Sequence, residues 1–174
     1  FVFHSWSAQA ALQPFTPAAA EGSFVWDYEG NRFLDFSSQL VNTNIGHQHP
    51  KVIAAIKEQA DKLITIAPQH ANEARGEAAK RIIEVAPDGF SKVFFTNGGT
   101  EAVENAVKIA RAVTGRPGLI AFQGEFHGRT YMSLSLTSKV EPYKKNFGPF
   151  MPEVYRVPFP DPYRSPDPNP TRMV

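Results

Sequence analysis

The chain has 174 residues, of which 42% are hydrophobic and 20% charged, enough for the core of one domain. A net charge of +1 gives no electrostatic footing for nucleic acid or an anionic membrane surface. The absence of cysteine excludes disulfides and thiolate metal sites and suits a cytoplasmic protein.

Taken in order, residues 1–13 open with an aromatic arm, His4-Ser5-Trp6-Ser7, that lacks periodicity. Such an arm packs on a partner surface or frays. Residues 22–36 read as a β-hairpin, two aromatic-rich runs around a turn at Glu29-Gly30-Asn31. Residues 37–44 are polar apart from Leu40 and Val41, and either line a cleft or form a plain loop. His47 and His49 stand one residue apart before Pro50. Without further ligands this pair is no metal site, and turn and capping roles are expected. A helix follows over residues 51–62, with Val52, Ile53, Ile56, Ala60 and Leu63 as its apolar set. Pro68 breaks the chain before a second helix, capped by Asn72 and running to Val85.

The most informative stretch comes next. Val93 to Phe95 is a short β-branched and aromatic run that suits a covered strand. Asn97-Gly98-Gly99-Thr100 turns into a helix whose apolar face is Val103, Ala106, Val107, Ala110 and Val113. Glu104 and Lys108 stand at i,i+4 on the other face, and Gly115 and Pro117 stop the helix. The first amides of a helix have no internal acceptor, and the helix dipole makes that end positive. Gly98 and Gly99 let an anion approach the backbone and permit positive φ, and Thr100 adds a hydroxyl. The turn is therefore a phosphate cradle, or a bare connection that binds nothing. It is neither a Walker A loop nor G-x-G-x-x-G.

Leu119 to Phe122 is a second short strand, leading to the loop Gln123-Gly124-Glu125-Phe126-His127-Gly128-Arg129. A loop just beyond a strand is where open α/β sheets bind ligands. Two strand–helix alternations predict parallel pairing with helices over the sheet. A short helix is expected at residues 132–136. From Asn146 onward the chain is dense in proline and is expected to be extended loop without helix or central strand.

In sequence order, Trp26-Asp27, Leu34-Asp35, Gly46-His47-Gln48-His49-Pro50, Asn97-Gly98-Gly99-Thr100-Glu101-Ala102, Thr114-Gly115-Arg116 and Phe126-His127-Gly128 resemble the class III pyridoxal-phosphate aminotransferases. The nearest flavour is the branch that uses ω-amino acids or amines with pyruvate or 2-oxoglutarate. The resemblance covers most of the chain. It implies an α/β fold of the fold-type I transferases. Residues 1–45 would be the N-terminal arm and hairpin of the small domain. Residues 46–145 would be the first part of the large cofactor domain, and 146–174 a proline-rich loop.

The resemblance further implies pyridoxal phosphate as cofactor, an amino donor and a keto acid as substrates, and a homodimer with shared active sites. It puts the cofactor's phosphate at Gly98, Gly99 and Thr100, and its ring against Phe126, with His127 as a positioning residue. It puts Leu40, Val41 and Ala67 in the substrate pocket, with Trp6 closing it. The Schiff-base lysine and the acid facing the pyridine nitrogen match no position here; both are expected beyond Val174, so the chain reads as a piece of something longer. A lyase, racemase or aminomutase on the same cofactor would show the same residues. A non-catalytic remnant serving as a binding or assembly module would show them too.

Overall fold

A computed structural model describes Val2, His4 and residues 8–164. Trp6 lies outside the described residues. The chain divides into two compact units, Phe1–Ala86 and Pro87–Val174.

The first unit contains a three-stranded antiparallel sheet, β1 (Pro17–Glu21), β2 (Phe24–Asp27) and β3 (Arg32–Leu34), in that order. The expected hairpin is β2–β3, with Phe24 opposite Leu34 and Trp26 opposite Arg32. Asp27 fixes its turn. Its Oδ1 accepts from the Glu29 and Asn31 amides at 3.0 and 2.8 Å, and its Oδ2 accepts from Asn31 Nδ2 at 2.9 Å. Gly30 takes φ 85°, where a side chain would be strained. Strand β1 is rich in alanine and had no strand signature in the sequence. It forms because β2 offers it a ladder, closed by Val25, which is buried.

After β3 the chain makes one short turn, α1 (Ser38–Val41), and then α2 (Pro50–Lys62) and α3 (Glu73–Val85). Pro50 starts α2, where its missing N–H costs nothing. Asn72 caps α3 as expected, its Oδ1 accepting from the Arg75 amide at 2.9 Å. His49 occupies the cap position of α2, but its side chain makes no capping bond. The apolar set of α2 stays largely open, with Val52, Ile56 and Leu63 all exposed.

The second unit is α4 (Gly99–Thr114), β4 (Leu119–Phe122), α5 (Tyr131–Leu136) and β5 (Val154–Val157). Strands β4 and β5 pair in parallel, with Leu119 opposite Val154 and Phe122 opposite Val157. Two expectations are corrected here. Val93 to Phe95 is not a strand, because among the described residues no ladder partner reaches it; Phe94 is 71% exposed. The second strand lies instead in the proline-rich tail. Val154-Tyr155-Arg156-Val157 carries no proline, and Pro152 and Pro158 flank it rather than interrupt it.

The core of this unit is Val107, Ala121 and Leu136, with Val103, Leu119, Met132 and Val154 packed against them. It covers only part of the apolar face expected for α4. Ala106 and Ala110 are exposed, and Val113 is 79% exposed. The expected Glu104–Lys108 pair also gives way, since the Glu104 carboxylate accepts from the Thr130 hydroxyl. Helix α5 is short but almost wholly buried from Ser133 to Leu136. Arg156 on β5 donates to the Ser135 and Thr137 carbonyls at 2.5 and 3.2 Å, so a cation meets the negative end of that helix. Lys144 Nζ lies 3.4 Å from the same Ser135 carbonyl; burial, then Arg156, holds its pKa below the usual lysine value.

Candidate active site

The helix start after Asn97 is the centre of the site. Gly98 is its N-cap, with no side-chain capping bond, and the first α-helical bond runs from the Ala102 amide to the Gly98 carbonyl at 3.1 Å. The Gly99, Thr100 and Glu101 amides belong to the first turn, where a helix has no carbonyl to offer them. Glu101 braces the turn from outside. Its Oε2 accepts from the Asn97 amide at 2.7 Å and from Asn97 Nδ2 at 2.9 Å.

The glycines do not serve conformation. Gly98 sits at φ −174°, which any residue adopts, and Gly99 is not among the residues with positive φ. A Cβ built on either meets no atom within 4 Å. Their missing side chains therefore leave open space over the helix start, and an anion could reach the amides there.

Thr100 is used differently from the expectation. Its hydroxyl is 2.9 Å from the Thr130 hydroxyl, close against the Ser133 hydroxyl, and 3.4 Å from the Thr130 amide. These bonds tie α4 to the start of α5. What Thr100 leaves for an anion is its amide.

Gly128 explains how the Phe126 loop is held so near. Its φ is 129°, and a Cβ there would stand 2.4 Å from Thr100 Oγ1, 2.6 Å from Ser133 Oγ and 2.7 Å from Thr100 Cβ. The loop backbone passes directly over Thr100 because this residue has no side chain. Its carbonyl accepts from Thr137 Oγ1 at 3.1 Å, and Thr137 Oγ1 in turn accepts from the His127 amide at 3.0 Å. Thr137 is fully buried, so this clamp is shielded from water.

The result is one cleft of about 490 Å³, lined by Gly99, Thr100, Val103, Phe126, His127, Gly128 and Arg129. The Phe126 ring is 52% exposed. Tyr143 packs against it with centroids 5.0 Å apart, and the Arg129 guanidinium lies 5.6 Å from its centroid. His127 Nε2 is 3.4 Å from Glu125 Oε2, and its Nδ1 is buried with no hydrogen-bond partner among the protein atoms. Gly98 lines an adjoining, more polar cleft with Glu104, Asn105 and Lys108. Arg129 and Tyr143 are contributors that sequence reasoning passed over. Arg129 was visible in the loop motif, whereas Tyr143 lies 17 residues after Phe126 and carried no signal.

The other sequence-based site residues are in the first unit. Leu40 and Val41 are 85% and 73% exposed on the α1 turn. Ala67 is exposed between α2 and α3, its carbonyl accepting from the His70 amide at 3.1 Å.

This architecture is that of the fold-type I transferases. The taurine:2-oxoglutarate aminotransferase of Bifidobacterium kashiwanohense, solved with PLP and glutamate, superposes with a TM-score of 0.87 at 38% identity, covering 94% of this chain and 36% of that one. The chain belongs to the aminotransferase class-III family, whose model matches residues 6–172. A probable 4-aminobutyrate aminotransferase of Bacillus subtilis is 48% identical over 147 residues, 80% of this chain and 33% of its own length. The 5-aminovalerate aminotransferase of Pseudomonas aeruginosa is 49% identical over 139 residues, 79% of this chain and 33% of its own. The chain thus spans about a third of the length of the curated relatives it matches. Among the described residues no helix is long and apolar enough to cross a membrane.

Proposed function

We propose that this chain supplies the phosphate cup and ring-stacking wall of a pyridoxal-phosphate-dependent aminotransferase acting on ω-amino acids or amines. The observation that carries the reading is the shared cleft: the α4 start and the Phe126 ring line the same cavity. The residues fit the cofactor. The open space over Gly98 and Gly99 admits a phosphate to the first-turn amides, and the helix dipole favours its charge. The half-exposed Phe126 ring offers an aromatic surface for a flat heterocycle, and Tyr143 fixes that ring's position. His127 is a positioning residue held through its amide by Thr137.

When bound, the cofactor acts as an electron sink, so that an amino donor's nitrogen is transferred to a keto acid such as 2-oxoglutarate or pyruvate. The chain's part is to hold the group still through both half-reactions. Leu40, Val41 and Ala67 contact the substrate in this reading. The names of the relatives, which act on 4-aminobutyrate, 5-aminovalerate and taurine, support a donor whose amine is remote from its acid group. The protein works as a homodimer in the cytoplasm; the exposed apolar residues of α2 and the absence of cysteine support this.

The test is to load the full-length protein with pyridoxal phosphate and supply 4-aminobutyrate or 5-aminovalerate with 2-oxoglutarate. Glutamate should form at the donor's expense, and Phe126→Ala should lose cofactor about 3- to 10-fold more readily on dialysis, as a stacking contact implies. Retention equal to the unchanged protein would remove the ring-wall assignment, and no glutamate would remove the reaction.

A further inference from the structure

The α1 turn is left-handed. Ser38, Gln39, Leu40 and Val41 have φ of 48°, 50°, 57° and 69°, and the ψ values of Gln39 and Leu40 are 53° and 46°. Each L-residue in this region brings its Cβ close to the following carbonyl oxygen, so left-handed residues normally occur singly and as glycine or asparagine. Four in a row with no glycine, ending on β-branched Val41, persist only where the surroundings over-determine them.

Those surroundings are specific. The Asp35 carbonyl accepts from the Ser38 amide at 3.3 Å, and Asp35 Oδ1 accepts from the Ser37 hydroxyl at 3.2 Å and the Gln39 amide at 3.4 Å. At the exit, the Thr43 amide donates to the Ser38 carbonyl at 3.0 Å, and Asn42 Nδ2 to the Gln39 carbonyl at 2.7 Å. The neck is closed by Asp35 Oδ2 and His47 Nε2, 2.7 Å apart, with side chains 4% and 14% exposed. His47 is itself pinned by paired backbone bonds with Gly22 at 2.7 and 3.1 Å. One part-buried pair thus joins the two ends of the segment, while Leu40 and Val41, which it carries, are largely exposed.

The geometry points to Asp35 and His47 as positioning residues that hold the Ser38–Val41 turn in its left-handed form, so that Leu40 and Val41 are presented to the carbon chain of the amino donor. This rests on the reading that Leu40 and Val41 contact the donor. Neither Asp35 nor His47 touches the donor; they act through the turn. The Leu40 and Val41 side chains are apolar, so the part of the donor they meet is its methylene chain rather than its acid or amine.

The experiment uses the full-length holoenzyme. Asp35→Ala should raise KM for an ω-amino acid donor about tenfold, the scale of a lost apolar contact, with kcat and cofactor retention little changed. Amide exchange at Asn42 and Thr43 should quicken in the same variant. Adding Gln39→Gly, which removes the Cβ clash of one left-handed residue, should restore much of both KM and protection. A general loss of packing would lower kcat and cofactor retention as well and would not respond to the glycine; that pattern overturns the proposal. Unchanged exchange in Asp35→Ala removes the latch. Unchanged KM in Leu40→Ala removes the donor contact on which the presentation depends, whatever the exchange shows.

Discussion

Replacing Gly128 by alanine tests whether the loop over Thr100 is held by the absence of a side chain. The new Cβ would lie 2.7 Å from Thr100 Cβ and 2.4 and 2.6 Å from two hydroxyl oxygens. Carbon atoms pack best at about 3.5–4.0 Å, so the overlap is close to an ångström and neither the α4 start nor the α5 start is a flexible tip. Overpacking of this kind costs about 1–3 kcal/mol. An alanine at φ 129° adds backbone strain of about 1–3 kcal/mol. The expected loss is about 4 kcal/mol, close to three orders of magnitude in the folding equilibrium of the second unit. Urea unfolding followed by tryptophan-independent circular dichroism should show a lower midpoint with an unchanged slope. Cofactor retention should fall as well, because relief of the clash moves Thr100, which lines the cleft. A second change, Ser133→Ala, removes one of the three contacts and should recover part of the loss. A Gly128→Ala variant within about 0.5 kcal/mol of the parent, the usual range of a neutral surface change, would refute the steric argument.

Two further outcomes are expected. Asn72→Ala should lower stability by about 1 kcal/mol through loss of the α3 cap, and Asn72→Ser should recover most of it, both read as urea midpoints. Acid stability should depend on Asp35. The hydrogen bond from His47, opposed by burial and aided by Gln39 and Ser37, holds its carboxyl below the ordinary 3.8. A carboxylate with a lowered folded pKa contributes stability above its unfolded value, and that contribution is lost as pH falls through the folded one. Asp35→Asn should therefore flatten the fall of stability below about pH 4, and an unchanged acid-unfolding curve would count against it.

Much of the second unit was legible because its signals are local. The 3.6-residue pattern from Val103, the glycines before it and the stop at Gly115, which takes φ 66°, mark α4 without reference to any neighbour. The Asn72 cap, the hairpin turn at Glu29–Asn31 and strand β4 were readable for the same reason. The open first-turn amides at Gly99, Thr100 and Glu101, on which the proposed phosphate cup rests, were also readable locally, since such amides follow from any helix start.

What the sequence could not settle were the pairings. Val93 to Phe95 has the composition of a strand and is not one, whereas Val154 to Val157 lies among prolines and is one; a ladder needs a partner, and only the folded chain supplies it. Thr100 shows the same division at the site. Its place at the helix start could be read from its neighbours, but the turning of its hydroxyl toward Thr130 and Ser133 depends on residues 30 and 33 positions away. The left-handed turn at Ser38–Val41 was hidden most deeply. No residue type in it favours that conformation, and the contacts around it come from outside the turn: Asp35 and His47, twelve positions apart, meet in a part-buried pair at its neck.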